Sequence, residues 1–257
     1  MFIAGIDVGA SYTKAVLIDS GKKIIASHVH KSGSDIANSS NVAYTESLRN
    51  AGIDKKEINS VVATGFGRYN IAFANRTITE ISAHGLGVYH YFPHSVTVVD
   101  IGGQDNKIIR LDEKGNIANF KMNRKCAAGT GAFIEDIAYK MDLPLSELNT
   151  LAKKATEDLV LGSYCTVFTA TEILTKIREG KSKENIIRGV FSSVAKRIVE
   201  LDPLENELVM TGGVVAYNDI LIEIMEKMIG KKISIPPNPQ LIGAFGAALF
   251  GLNGGNK

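Results

Sequence analysis

The sequence predicts an α/β protein that consists of two related halves with a cleft between them. Three observations lead to this prediction. Residues 2–29 resemble residues 97–122, each copy opens with an apolar β-branched run that ends in Asp-x-Gly, and strand and helix patterns alternate after each copy. We expect each copy to form a three-stranded antiparallel meander. The predicted halves span residues 1–94 and 95–257, and the last helix is a candidate for packing back on the first half.

The strands of each meander follow from local turn signals. An alternating run follows each Asp-x-Gly, and the turns DSGK and DEKGN precede the third strand of each copy. After the first copy, a stretch rich in Ser, Gly and Asn predicts a loop at 32–41. The pattern then predicts a helix at 44–51, a strand at 60–65 and a helix at 78–91.

The chain after the second copy is predicted to be mostly helical, with two further strands. The predicted helices are 127–141, 146–155, 166–179, 184–200, 217–229 and 239–251, and the predicted strands are ELVMTGG (207–213) and KKISIP (231–236).

Composition restricts the classes of partner. The chain has 257 residues and a net charge of +2 with both signs intermixed, so it carries no basic stripe of the kind that follows a nucleic-acid backbone. The longest apolar stretch, LIGAFGAALFGL, is too short to span a bilayer, and MFIAGIDVGA lacks the basic start of a signal peptide. We therefore expect a cytoplasmic protein that binds neither nucleic acid nor a membrane.

The duplicated Asp-x-Gly motif points to phosphate chemistry. A strand that ends at Asp7 and Gly9, or at Asp100 and Gly102, presents backbone N–H groups that no side chain shields. One such motif would be an ordinary hairpin turn, but two copies at matched positions favour a phosphate site. The two carboxylates are suited to hold a hydrated Mg²⁺ ion between them.

Other residues extend this predicted nucleotide site. Ser11 and Lys14 are expected on the turn after the first motif, and the glycine pair of VMTGGV, Gly212 and Gly213, would open a helix beside the nucleotide. Small residues in NPQLIGAFGAAL would allow close backbone approach to the nucleoside. These small residues are Gly243, Ala244 and Gly246.

Two cysteines, Cys126 and Cys165, need a separate explanation. A reducing compartment disfavours a structural disulfide, so metal binding, catalysis or inert burial remain. Each cysteine stands before a predicted helix, where the helix dipole stabilises a thiolate, and Gly129 and Gly131 suggest that something approaches closely. Two thiolates cannot complete a zinc site or an iron–sulfur cluster, but two chains related by a twofold axis supply four.

DVGASYTK (7–14) and DIGGQD (100–105) resemble the phosphate motifs of the acetate and sugar kinase, Hsp70 and actin ATPases, and TGGV (211–214) resembles their adenosine motif. This resemblance implies duplicated ribonuclease-H-like domains that bind ATP in the cleft. Ala10 replaces the Ser or Thr of many relatives, so Ser11 would have to supply the hydroxyl. The implied cofactor-binding residues are Gly9, Ala10, Ser11, Tyr12, Thr13, Lys14, Gly102, Gly103, Gly212, Gly213, Gln240, Gly243 and Ala244.

Five further segments resemble one family of that superfamily, the ATP-dependent activators (component A) of 2-hydroxyacyl-CoA dehydratases. This BadF/BadG/BcrA/BcrD family includes benzoyl-CoA reductase subunits and reductases of double-cubane cluster proteins. The segments are NRKCAAGTGAFIEDIA, CTVF, TGFGR (64–68), EISAHG (80–85) and SVAKRI (193–198).

The family resemblance implies a redox function. One 4Fe-4S cluster would be bound at a homodimer interface by Cys126 and Cys165, and hydrolysis of ATP to ADP would allow transfer of a low-potential electron to a partner iron–sulfur enzyme. Ferredoxin or flavodoxin would be the electron donor. Where relatives carry Glu-Ser-Glu after CTVFA, this chain has Ala170 and keeps only Glu172, which leaves the identity of the partner open.

The catalytic predictions leave alternatives. Asp7 and Asp100 would organise Mg²⁺, and Gln104 or Asp105 would position the attacking water. A small-molecule kinase of the same fold would use Asp105 as a general base, and a zinc-bridged dimer would use only the cysteines. For Glu80 and His84, a hydrogen-bonded surface or interdomain pair is favoured over a shared metal.

Overall fold

The structure is a computed structural model, which describes residues 1–123, 126–127, 129–162 and 166–254. The chain forms two compact units. The first comprises Met1–Val96, Ile109–Phe120 and Gln240–Lys257, and the second comprises Thr97–Ile108 and Lys121–Pro239.

Ten strands are present in the described residues, in two sheets of five. They are β1 (Phe2–Val8), β2 (Tyr12–Asp19), β3 (Ile24–Lys31), β4 (Ile58–Thr64), β5 (Arg76–Thr77), β6 (Val96–Ile101), β7 (Asn106–Leu111), β8 (Ile117–Asn123), β9 (Glu207–Thr211) and β10 (Ile233–Ser234).

The two sheets have the same strand order. The first reads β3-β2-β1-β4-β5 and the second reads β8-β7-β6-β9-β10. In the first sheet β1 is antiparallel to β2 and parallel to β4, so a meander is extended by a crossover strand. The predicted duplicated ribonuclease-H-like α/β fold is confirmed by this repeated order.

Nine α-helices lie between and after these strands in the described part of the chain. They are α1 (Ile36–Ala51), α2 (Glu80–Tyr91), α3 (Gly131–Lys140), α4 (Leu145–Lys153), α5 (Thr166–Arg178), α6 (Lys183–Leu201), α7 (Gly213–Tyr217), α8 (Asp219–Ile229) and α9 (Ile242–Leu252). None of these helices has the length and hydropathy that crossing a membrane requires.

Helix α1 begins eight residues before the predicted start at residue 44. Asp35 caps it by accepting a hydrogen bond from the Asn38 N–H at 2.9 Å, and Ser39 and Ser40 donate their hydroxyls back to the Ile36 carbonyl. The predicted loop at 32–41 was therefore wrong over its second half, because serines that suggest a loop are satisfied inside the helix.

Two other helix boundaries differ from the prediction, and a glycine explains the first of them. Helix α3 begins at Gly131 rather than at residue 127, since Gly129 has a φ of +84° and cannot continue a right-handed helix. The helix predicted at 217–229 begins two residues later, since α7 ends at Tyr217 and α8 begins at Asp219, with Asn218 between them.

Each unit has its own hydrophobic core. In the first unit α1 covers one face of the first sheet, and α9 packs on the other face around Phe245. The approach of α9 is close, because a Cβ at Gly5 would overlap the Ala244 carbonyl oxygen and one at Gly246 would overlap the Ala83 carbonyl oxygen. In the second unit, α3 to α8 surround the inner strands.

Candidate functional site

The first Asp-x-Gly loop (residues 7–14) joins β1 to β2 as a tight hairpin. Asp7 lies at the end of β1 and is 7% exposed, and its Oδ2 accepts a hydrogen bond from Lys14 Nζ at 3.0 Å. The Gly9 N–H donates to the Tyr12 carbonyl at 3.1 Å, so Ala10 and Ser11 form the turn itself. Lys14 therefore lies in β2 rather than on the turn, but its ammonium group reaches back to the carboxylate.

Ser32 holds this loop from the end of β3. Its hydroxyl donates to the Gly9 carbonyl at 2.6 Å, and its N–H donates to the Ser11 carbonyl at 3.0 Å. Thr13 is completely buried, and its hydroxyl shares a 3.0 Å hydrogen bond with Ser32. The Thr13 side chain thus braces the loop from inside, and Tyr12 is half-buried at the start of β2.

The second Asp-x-Gly loop (residues 100–107) repeats this arrangement between β6 and β7. The Gly102 N–H donates to the Asp105 carbonyl at 2.9 Å, which leaves Gly103 and Gln104 as the turn. Lys107 Nζ lies 3.3 Å from Asp100 Oδ2 and 2.6 Å from Asp105 Oδ1. The predicted catalytic carboxylates of this unit are therefore joined by one buried ammonium group.

The two predicted water-positioning residues have different surroundings. Gln104 is exposed at the tip of the turn, whereas Asp105 is half-buried and engaged with Lys107. As a general base, Asp105 would have to act while it is hydrogen-bonded to the Lys107 ammonium group.

Lys107 and Thr211 were not among the predicted site residues. Lys107 could have been found, since lysine stands seven residues after the aspartate in both copies, at Lys14 and at Lys107. Thr211 ends β9 and donates its hydroxyl to Asp100 Oδ1 at 2.9 Å, across 111 positions of sequence. No local pattern signals that contact.

Glu80 and His84 form a buried pair on α2, in the first unit. Glu80 is 8% exposed and His84 is 7% exposed, so the surface alternative of the favoured prediction is wrong, and the interdomain alternative stays a prediction. A Cβ built on Gly243 would lie 3.0 Å from His84 Nε2 and 3.2 Å from Asp7 Oδ2. The imidazole and the carboxylate therefore border the same point of α9, where a larger side chain would fit tightly. No group of three or more Asp, Glu, His or Cys residues suited to a metal occurs in the described residues.

The remaining predicted nucleotide residues divide between the two units. In the second unit Gly212 has a φ of +103°, its N–H donates to the Pro239 carbonyl at 3.0 Å, and α7 starts at Gly213. In the first unit Gln240 is half-buried just before α9, and Ala244 is completely buried. Ala244 packs closely against β1, and its predicted approach to the nucleoside stays a prediction.

Cys126 lies in a segment that is hydrogen-bonded to the second Asp-x-Gly loop. Its thiol is free and half-buried, and its carbonyl accepts a 3.1 Å hydrogen bond from Asn123 Nδ2. Where α3 begins, the Gly131 N–H donates to the Gly102 carbonyl at 3.0 Å and the Ala132 N–H donates to the Gly103 carbonyl at 2.7 Å. The first turn of α3 therefore rests directly on the predicted phosphate turn.

Cys165 lies outside the described residues, but the chain on both sides of it is described. Gly162 is held at both polar backbone groups, since its N–H donates to Glu172 Oε2 at 2.6 Å and its carbonyl accepts from the Thr169 hydroxyl at 2.7 Å. Glu172 thus has a structural contact with the loop that leads to Cys165.

Chemically, each unit offers a carboxylate at the end of a strand, a lysine bonded to it and a hairpin turn with exposed backbone. Such loops suit phosphate oxygens and a cation that accompanies them. A family model of BadF/BadG/BcrA/BcrD ATPases matches residues 4–251.

The chain belongs to the BadF/BadG/BcrA/BcrD ATPase family.

Two relatives support this assignment, and each matches this chain over its full length. The activator of lactoyl-CoA dehydratase from Anaerotignum propionicum is 41% identical over 260 residues, which cover 100% of both chains. The solved structure of component A of (R)-2-hydroxyglutaryl-CoA dehydratase from Acidaminococcus fermentans is 36% identical, with a TM-score of 0.94 and 100% of both chains covered.

A second solved structure carries a nucleotide analogue. It is the activator of 2-hydroxyisocaproyl-CoA dehydratase from Clostridium difficile with bound ADPNP, 36% identical, with a TM-score of 0.93, and the match covers 99% of this chain and 95% of that one. The predicted resemblance to the BadF/BadG/BcrA/BcrD ATPases is confirmed. The roles of individual residues stay predictions.

Proposed function

We propose that this protein is a cytoplasmic, ATP-hydrolysing iron–sulfur activator that passes a low-potential electron to a partner iron–sulfur enzyme. One observation carries the proposal. In a member of an ATPase family, the free thiol of Cys126 stands in a segment whose helix is hydrogen-bonded to the second Asp-x-Gly loop.

The two Asp-x-Gly loops would bind the phosphates of ATP. Since the N–H groups of Gly9 and Gly102 close their own hairpins, we assign phosphate binding to the turns Ala10–Ser11 and Gly103–Gln104. Lys14 and Lys107 would add positive charge beside them, while Gln104 or Asp105 would orient the attacking water. The ADPNP bound to the related dehydratase activator supports nucleotide binding by this chain.

The carboxylates of Asp7 and Asp100 fit a hydrated Mg²⁺ ion. Mg²⁺ is usually held by one or two carboxylates together with waters and phosphate oxygens, so a complete protein cage is not needed. Lys14 and Lys107 hold these carboxylates in position through ion pairs.

Cys126 fits a cluster that two chains share. The thiol is half-buried and forms no disulfide, and Cys165 is the only other cysteine of the chain. A 4Fe-4S cluster needs four ligands, so two chains would contribute two cysteines each. When bound, such a cluster supplies one-electron transfer at low potential.

The partner is inferred from the names of the relatives. They are activators of lactoyl-CoA, 2-hydroxyisocaproyl-CoA and (R)-2-hydroxyglutaryl-CoA dehydratases. We infer a partner of the 2-hydroxyacyl-CoA dehydratase or double-cubane cluster type, with ferredoxin or flavodoxin as the electron donor. Because Ala170 stands where relatives carry an acidic residue, we retain both types of partner.

Metal analysis of anaerobically purified protein tests the proposal. We expect about four iron and four sulfide per two chains, a dimeric mass in solution, and loss of iron in both Cys126→Ser and Cys165→Ser. If the protein contains no iron and hydrolyses ATP equally well without either cysteine, the redox function is contradicted and a kinase is favoured. Zinc in place of iron would favour a zinc-bridged dimer.

A further inference from the structure

Asn106 connects the second Asp-x-Gly loop to the segment that carries Cys126. It is the first residue of β7 and is buried, with 2% of its surface exposed. Its Nδ2 donates a buried hydrogen bond to the Gly129 carbonyl at 2.7 Å. Because Gly129 is three residues after Cys126, this bond fixes the chain just beyond the thiol.

The same segment makes two backbone hydrogen bonds to the loop. They run from Gly131 to Gly102 and from Ala132 to Gly103, as described above. Any sequence could make these two bonds, since only main-chain atoms take part. The contact of Asn106 is the part of the connection that depends on a side chain, so a substitution can remove it.

Gly129 has little freedom to absorb a movement of the loop. A Cβ at Gly129 would lie 3.0 Å from Arg197 Cγ and 3.1 Å from Asn106 Nδ2. The residue is therefore enclosed by α6 on one side and by Asn106 on the other. A displacement of Asn106 is passed to the Gly129 backbone instead of being taken up by a gap.

Two features indicate that this contact has a second arrangement. Asn106 Oδ1 is buried and has no hydrogen-bond partner among the described residues, which is unfavourable for a buried acceptor. A polar cavity of about 320 Å³ lies beside it, lined by Asn106, Met122, Asn123, Arg197, Glu200 and Leu201. This cavity borders Asn106 and is not lined by Gly129, so it gives the Asn106 side chain room to move until a donor reaches the unsatisfied oxygen.

The geometry assigns to Asn106 the role of a positioning residue, which transmits the state of the second Asp-x-Gly loop to the Cys126 thiol. The assignment rests on the proposed function, since it takes the loop to be the phosphate site. When phosphate oxygens engage the Gly103–Gln104 turn, β7 begins from a shifted position, and Asn106 moves the Gly129 carbonyl with it.

The test uses the full-length Cys165→Ser chain prepared without iron, in which Cys126 is the only thiol. The rate of Cys126 alkylation by iodoacetamide is measured with and without saturating ADPNP. We expect the nucleotide to change this rate by about fivefold or more, the lower end of ordinary coupling between sites. In Asn106→Asp, which keeps the size of the side chain but loses the donor, the change should fall below about twofold.

One control variant and one diagnostic outcome separate coupling from simple loss of structure. Asn149→Asp makes the same chemical change elsewhere in the second unit, where the side chain accepts from the Ile220 N–H, and it should keep the full nucleotide effect. A merely structural role of Asn106 would raise the alkylation rate equally with and without nucleotide. If Asn106→Asp does not fold, Asn106→Ala provides the same comparison.

The proposal is overturned if ADPNP changes the alkylation rate of Asn106→Asp by the same factor as that of the Cys165→Ser chain alone. It is also overturned if ADPNP binds the Cys165→Ser chain without changing the alkylation rate. Iron content of the wild-type protein reports separately on the proposed function, because the alkylation experiment needs no cluster. A chain that binds no nucleotide would overturn both.

Discussion

The ammonium group of Lys107 lies 3.3 Å from the carboxylate of Asp100, and seven residues separate the two in sequence. Lys14 and Asp7 repeat this relation at 3.0 Å in the first unit. The duplication therefore preserved an ion pair as well as the Asp-x-Gly motif, and both pairs lie at the ends of the first strands of their sheets.

Replacing Lys107 should be costly for stability and for ATP hydrolysis. The Lys107 and Asp100 side chains are only 7% and 4% exposed, so Lys107→Met leaves a buried carboxylate without its cation. We expect the free energy of unfolding to fall by about 3–5 kcal/mol, and the rate of ATP hydrolysis by about a hundredfold. Lys14→Met, whose side chain is more exposed, should cost less stability in the same urea titration. Equal stability of Lys107→Met and wild type would contradict the structural assignment.

Thr211 should matter through its hydroxyl. Thr211→Val keeps the shape but removes the donor to Asp100, so the free energy of unfolding should fall by about 1–3 kcal/mol, whereas Thr211→Ser should retain most of it. Thr175→Val is the matched control, because that hydroxyl is exposed and bonds only within α5. If both valine variants were equally stable, the buried bond would have no energetic role.

Gly212 should not tolerate alanine. Its φ of +103° disfavours any side chain, and a Cβ there would also overlap the Ile101 carbonyl oxygen. We expect Gly212→Ala to lose about 3 kcal/mol or more. Gly180→Ala has a φ of +75° with open space around it, so it should lose only about 1–2 kcal/mol. Thermal denaturation of the two variants separates the cost of steric overlap at Gly212 from the cost of backbone strain. Similar losses of stability in both variants would mean that the chain around Gly212 relaxes.

Glu172 should support the loop that leads to Cys165. Glu172→Ala removes the acceptor of the Gly162 N–H, while Glu172→Gln keeps an acceptor oxygen. Under the proposed function, iron content should drop in the alanine variant and persist in the glutamine variant. Glu179→Ala, at an exposed ion pair with Lys176 just after α5, should leave iron content unchanged. Full iron in Glu172→Ala would show that this tether is dispensable.

Local patterns predicted most strands but placed several helix ends incorrectly. The start of α1 was missed because Ser39 and Ser40 satisfy their hydroxyls within the helix, which composition cannot distinguish from a loop. The start of α3 was placed too early, because Gly129 has a φ of +84°, a conformation that glycine adopts readily and that a right-handed helix does not allow.

In the candidate site, too, some residues were predictable from the sequence and others were not. Asp7 and Asp100 were predictable because the repeat displays them twice, and Lys107 carried an equivalent signal that the motif comparison passed over. The burial of His84 beside Gly243 was not predictable, because it depends on how closely α9 packs against α2.

By itself, the sequence determined the duplicated α/β organisation, the two Asp-x-Gly loops and the position of Cys126 before a helix. Those features arise from side-chain periodicity and turn chemistry, which act over a few residues. Only the tertiary structure decided that Thr211 bonds to Asp100 and that Asn106 reaches Gly129. These contacts join segments that are 111 and 23 residues apart, and they form only where the packing of the whole unit brings the segments together.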